Sequence, residues 1–206
     1  MPRPQRNAKR RSPKVLYLTE GETERDYLKI TLGLSPVKSE TTNAPFDLLK
    51  EATKRLVPAT QQGGKTKSTG SAYYDQVVVL FDTDTLLPND PKIAKMQKLI
   101  NDTENKLIPI VSAPCFEYVL LLHFENRHPP SIPDTDHALR PHGYDNHKTD
   151  PTRTQLMTHL HANPDKVTTA FERLHQRDQA LALSPTSPLA QRLQVDAPYS
   201  NVYQVL

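Results

Sequence analysis

The chain has 206 residues, 36% hydrophobic and 24% charged, enough for one well-buried domain with extra elements or for two small ones. No apolar stretch approaches the roughly 20 residues that span a bilayer, and the basic N-terminus lacks the apolar run of a secretory signal, so a cytoplasmic protein without membrane contact is expected. The single cysteine, Cys115, excludes an intramolecular disulfide framework and a multi-cysteine zinc site.

The formal charge of +3 hides an uneven distribution. Residues 1–14 hold Arg3, Arg6, Lys9, Arg10, Arg11 and Lys14 and no acid, which leaves 20 basic against 23 acidic residues in the rest. Residues 1–13 therefore read as a flexible basic tail. It is either an arm that tracks phosphates in a salt-dependent way or a solvated arm that aids solubility.

Residues 14–19, with Val15-Leu16-Tyr17-Leu18, read as a first strand. From Glu22 to Leu34, Tyr27, Leu28, Ile30, Thr31 and Leu34 form an apolar stripe at helical spacing. Pro36 to Thr41 reads as a weaker strand, and Pro45 to Leu56 as a helix with proline in its first turn. Residues 59–71 have almost nothing to bury and read as a loop carrying Lys65 and Lys67. Strand 75–81 follows, with Val77-Val78-Val79-Leu80-Phe81 continuously apolar, as in a parallel sheet covered on both faces.

Pro91 opens a helix through Thr103, and 106–111 reads as a strand near a sheet edge, because Pro109 cannot donate a ladder bond. Pro114 starts an apolar helix to Phe124, with Ser112 or Ala113 as its cap. Strand and helix thus alternate through 14–125, the pattern of an α/β core with a mostly parallel sheet. Residues 126–150, rich in Pro, His and Asp, read as an insert loop. A C-terminal helical part, 151–206, has helices near 152–162 and 164–182 and a last short one from Tyr199 to Leu206.

Two acidic clusters follow the two most apolar strands. Ligands in open α/β sheets bind beyond the carboxyl ends of the strands, and carboxylates there suit a hard divalent cation. In Asp82-Thr83-Asp84, residues two apart face the same side and converge on one point; the same sequence also reads as an ordinary polar turn. Glu20 precedes Gly21 at a tight strand-to-helix turn, whereas Glu22 and Glu24 are accounted for by the positive end of the helix they begin. Glu117, amid Cys115, Phe116, Tyr118 and leucines, is either a cation ligand or a helix-start acid facing solvent.

Cys115 reads as a small buried hydrophobe. All eight histidines lie beyond residue 122. Asp134, Asp136, His137, His142, Asp145 and His147 form a weak candidate zinc or manganese set, and His123 is a looser candidate acid or substrate contact. Gly63-Gly64-Lys65-Thr66 lacks the upstream glycine and strand of a phosphate loop, which argues against ATP hydrolysis by this chain.

Leu18-Thr-Glu-Gly-Glu-Thr-Glu-Arg-Asp-Tyr27, Val79-Leu-Phe-Asp-Thr-Asp84, Ser112-Ala-Pro-Cys-Phe-Glu-Tyr-Val-Leu-Leu-Leu-His-Phe124 and Ala197-Pro-Tyr-Ser-Asn-Val-Tyr203 resemble the RloB-like family in order and over most of the chain. Ala113 stands where that family is expected to have Asn. The resemblance implies a Toprim-type fold, shared with topoisomerases, bacterial primases and OLD-family nucleases. Its acids map to Glu20, Asp82 and Asp84, which in such enzymes bind Mg2+. It also implies a link to restriction and abortive-infection loci, often beside an ATPase partner.

The expectation is a Mg2+- or Mn2+-dependent nuclease acting in antiphage defence. Asp82 and Asp84 hold the cation, Glu20 ligates or acts as base, and Glu117 supports a second site. The tail residues Arg3, Arg6, Lys9, Arg10 and Arg11, with Lys65 and Lys67, grip RNA (transfer RNA included) or DNA. The alternatives are a nucleic-acid-binding or regulatory subunit controlled by an ATPase, and a nucleotide sensor using the same cation site. Oligomeric state is left open.

Overall fold

The structure is a computed structural model, and it describes residues 12–40, 44–56, 73–86, 90–142, 149–184, 187–193, 195 and 197–205. Five strands form one sheet in the order β2-β1-β3-β4-β5: β1 (Val15–Thr19), β2 (Val37–Ser39), β3 (Gln76–Asp82), β4 (Leu107–Ala113) and β5 (Tyr199–Ser200). The first four pair in parallel, and β5 runs antiparallel to β4. The helices are α1 (Glu22–Asp26), α2 (Pro45–Arg55), α3 (Pro91–Asn101), α4 (Glu117–Leu121), α5 (Ile132–Leu139), α6 (Asp150–His161), α7 (Pro164–Ala180) and α8 (Leu189–Arg192). This α/β architecture, with its C-terminal helices, is compatible with a Toprim-like fold.

Continuous apolarity in β1 and β3 has the expected cause. Leu16, Leu18, Val77, Val79, Phe81 and Val111 pack under α2, α3 and α8. Val78, Leu80 and Ile110 face the opposite layer of Tyr27, Leu28, α4, α6 and α7. Side chains alternate across a strand, so a strand buried on both faces must be apolar at every position.

Pro109 marks a partly open strand edge. Past the two-residue β5, Asn201 takes over the ladder. Its N–H donates to the Val111 carbonyl (3.3 Å), its Oδ1 accepts from the Val111 N–H (2.7 Å), and its Nδ2 donates to the Pro109 carbonyl (3.2 Å). A side-chain amide thus completes an edge that proline leaves without a donor.

Four local expectations change. Ser112 and Ala113 belong to β4, held by β5 pairing and by the contact of the Ser112 and Ser200 hydroxyls (3.0 Å); α4 starts at Glu117 with no side-chain cap. The 126–150 segment contains a true helix, α5, capped where the Ser131 hydroxyl accepts from the Asp134 N–H, with Thr135, Ala138 and Leu139 buried. Its apolar stripe is too short to register as a period. Tyr199 to Val205 is a strand followed by a 3-10 turn rather than one helix. α1 gives way to a π-helical turn (Tyr27–Thr31), and Gly33, at φ +66°, follows it.

Candidate metal centre

From β1 the chain runs outward to β2, then returns past β1 to β3, so the order reverses between β1 and β3. A crevice opens at the carboxyl ends of strands flanking such a switch point. Glu20 follows β1 and Asp82 ends β3. The Glu20 N–H donates to the Leu80 carbonyl (3.1 Å), and Glu20 Oε2 accepts from the Asp82 N–H (3.3 Å). The two acidic motifs, 62 residues apart, therefore meet.

They line a cleft of about 370 Å3 with Glu24, Asp84, Cys115, Glu117 and Arg153. Glu117 is buried, which removes the solvent-facing alternative. Glu24 is buried too, and sequence reasoning assigned it only to the helix terminus. Gly21 makes room for it: a Cβ there would lie 2.4 Å from Glu24 Oε2. Nothing local in the sequence separates a helix-start acid facing solvent from one folded back into a cleft.

Asp82 Oδ1 is buried and has no hydrogen-bond partner among the described residues. Burial, then the charges of Glu24, Glu117 and Asp84, raise the Asp82 carboxyl well above its usual range, against the pull of the Phe116 N–H donated to it. Glu20 is raised as well, by burial and by Asp84, against the Asp82 N–H. Asp84 is exposed at the rim.

Arg153 was not anticipated from sequence. Only 5% exposed, it reaches from α6 to α1, where Nε donates to Asp26 Oδ2 (2.7 Å) and Nη2 to Glu22 Oε2 (2.8 Å); Nη2 also donates to Asp150. Glu22 is thereby an ion-pair partner rather than a cleft ligand. The other candidates have structural roles. His123 is buried, its Nδ1 donates to the Val119 carbonyl (2.9 Å) and its Nε2 accepts from the Tyr27 hydroxyl (3.1 Å), so it is no acid at the cleft. Burial and the carboxylates of Glu117 and Asp82 push the Cys115 thiol up, which suits a buried thiol rather than a nucleophile.

An all-carboxylate donor set and an unpartnered Asp82 oxygen fit a hard divalent cation such as Mg2+ or Mn2+. The groups share a cleft but not a ligand sphere: among the described residues, no three His, Cys, Asp or Glu side chains are gathered closely enough to hold an ion. The described members of the weaker histidine set form no such cluster; Asp134 serves the Ser131 cap, and Asp145 and His147 lie outside the described residues. Arg3, Arg6, Lys9, Arg10, Arg11, Lys65 and Lys67 are also outside them. No helix among the described residues is long and apolar enough to cross a membrane.

A family model described as "RloB-like protein" matches residues 15–206, nearly the whole chain. No curated protein and no solved structure matches it. The chain belongs to the RloB-like family.

Proposed function

We propose that this member of the RloB-like family is a divalent-cation-dependent nuclease that hydrolyses phosphodiester bonds of RNA or DNA in its acidic cleft. The observation that supports it most is the half-buried Asp82 carboxylate, whose Oδ1 is buried without a hydrogen-bond partner among the described residues, beside Glu20, Glu24 and Glu117. Burying such a group is costly unless it serves a cation or a proton. Asp82 and Asp84, with Glu20, would hold Mg2+ or Mn2+, which neutralises charge developing on phosphate and lowers the pKa of a nucleophilic water.

In that reaction a water oxygen would bond to phosphorus as the opposite P–O ester bond breaks, Glu20 would take the water proton, and that proton would pass on to the leaving oxygen to give the free hydroxyl. The raised Glu20 carboxyl is better suited to this exchange than an ordinary surface glutamate. A role in antiphage defence beside an ATPase partner is part of the proposal and is supported by the family resemblance.

One observation favours a second reading, a nucleic-acid-binding or regulatory subunit that does not cut: the carboxylates are not gathered to ligand spacing. Incubating the protein with plasmid, single-stranded DNA and total RNA in Mg2+, Mn2+ or EDTA separates the two. Cation-dependent cutting lost in Asp82→Asn and Glu20→Gln is the expected result. Cutting that persists in both variants refutes the site, whereas binding without cutting selects the second reading.

A further inference from the structure

Three helices start at the acidic cleft and lead to one stack of rings. Glu117 and Ile132, the first residues of α4 and α5, line the cleft, as does Arg153 in the first turn of α6. Phe124 lies just past α4, His142 closes the 3-10 turn (Arg140–His142) that follows α5, and His159 sits in the last turn of α6. The Phe124 ring stacks on His142, with centroids 4.6 Å and planes 19° apart, and on His159, at 6.4 Å and 19°. Lys166 Nζ, from α7, lies 4.7 Å from the Phe124 centroid. At about 1.5 Å per helical residue, the paths from Glu117 to Phe124, Arg153 to His159 and Ile132 to His142 put the stack about 10–15 Å from the cleft.

The stack is partly open and carries uncompensated positive charge. His159 is exposed, while Phe124, His142 and Lys166 are half-buried. Phe124 packs against the core layer that holds Leu122 and Leu160, which fixes the rings in place. Lys166 and Arg173 are seven residues apart on α7 and share a face. Arg173 Nη1 donates to the Leu122 carbonyl (2.5 Å), two residues before Phe124. Among the described residues neither cation is held by a carboxylate. Their chain neighbours Asp165 and Glu172 are exposed, and adjacent residues on a helix do not face each other. Fixed ring faces beside free cations match a strand whose bases are unpaired and whose phosphates are anionic. A duplex keeps its base faces stacked inside and has only its backbone to offer.

We propose that the Phe124, His142 and His159 stack, with Lys166 and Arg173, is a track for the single-stranded segment of nucleic acid that leads out of the acidic cleft. An unpaired base stacks on the exposed His159 ring, and the adjoining phosphates pair with the two cations. This rests on the reading that the cleft takes a phosphodiester, and it adds the substrate class: a strand unpaired for about three or four nucleotides beside the cut, at about 3.4 Å per stacked nucleotide. Every base has a ring face, so the track selects unpaired strands with little discrimination among bases.

Fluorescence anisotropy in EDTA tests it, with a labelled oligonucleotide probed as a single strand and as the matching duplex; chelation keeps binding separate from cutting. The unaltered protein should bind the single strand about tenfold more tightly than the duplex. His159→Ala, at an exposed position, should remove most of that preference with Tm and duplex affinity unchanged. Lys166→Gln should flatten the dependence of log affinity on log salt for the single strand by about 0.7. Equal affinity for the two probes, or a preference and salt slope that survive both substitutions, overturns this inference alone. A single-strand preference that His159→Ala removes, in a protein that cuts nothing in Mn2+, upholds the track and overturns the nuclease reading of the cleft.

Discussion

Replacing Asp82 with Asn should stabilise the ion-free protein, the reverse of the usual outcome for a buried polar substitution. Asn keeps the shape and the acceptor for the Phe116 N–H but removes a charge that Glu24, Glu117 and Asp84 oppose. Two carboxylates about 6 Å apart at an effective dielectric near 20 repel by roughly 3 kcal/mol. Relaxation and proton uptake relieve much of that, so a gain of about 1–2 kcal/mol is expected, or roughly 2–8 °C in Tm for a chain of this size. Thermal unfolding in EDTA at pH 7.5 reads it directly.

Adding Mn2+ should reverse the order. A ligand at a hundredfold excess over its Kd stabilises by about 2.7 kcal/mol, and only the aspartate protein collects that in full. The unaltered protein should therefore melt below Asp82→Asn in EDTA and above it in Mn2+. If Asp82→Asn melts at or below the parent in EDTA, the carboxylate is not under the strain deduced for it. If both proteins gain equally from Mn2+, the ion binds elsewhere.

Gly21→Ala should leave the unfolding free energy within about 1 kcal/mol of the parent, since φ is −117°, but it displaces the Glu24 carboxylate; Mn2+ affinity by calorimetry should fall about tenfold, and unchanged affinity would exclude Glu24 from the site. Burial lowers His123 to about 4, so below pH 6.5 the unfolded chain takes up a proton that the folded one refuses. Stability should therefore decline by up to about 3 kcal/mol as pH falls from 6.5 to 4, and urea titrations of His123→Gln should show a shallower slope over that window. Asp178 is 1% exposed and accepts from Arg192 Nη1 (3.1 Å) and the Tyr203 hydroxyl (2.7 Å). Asp178→Asn strands the Arg192 charge and should cost about 3 kcal/mol in urea unfolding, largely recovered when Arg192→Met is added.

The features legible in the sequence were those written in contiguous residues. The valine-rich run of β3 and the Val15–Leu18 run read as strands covered on both faces, and acids at their ends could meet only if the strands were neighbours. Their pairing, Val15 with Gln76 through Thr19 with Leu80, satisfies that condition. The parts that stayed hidden depend on distant partners. Arg153 looks like any helix-start arginine until Asp26, 127 residues earlier, is brought against it. Glu24 looks like a dipole-matched acid until Gly21 and Asp82 enclose it. Ser112 looks like a helix cap until Ser200, 88 residues later, holds it in the sheet.

The charges around the cleft impose an order of events. Arg153 is the basic side chain among its described lining residues, and Asp26, Glu22 and Asp150 already share that guanidinium. A phosphodiester, itself anionic, approaching Glu20, Asp82 and Asp84 meets like charge at every step. In a nuclease of this design the cation must therefore arrive before the substrate, and chelation should abolish phosphate binding at the cleft as well as turnover.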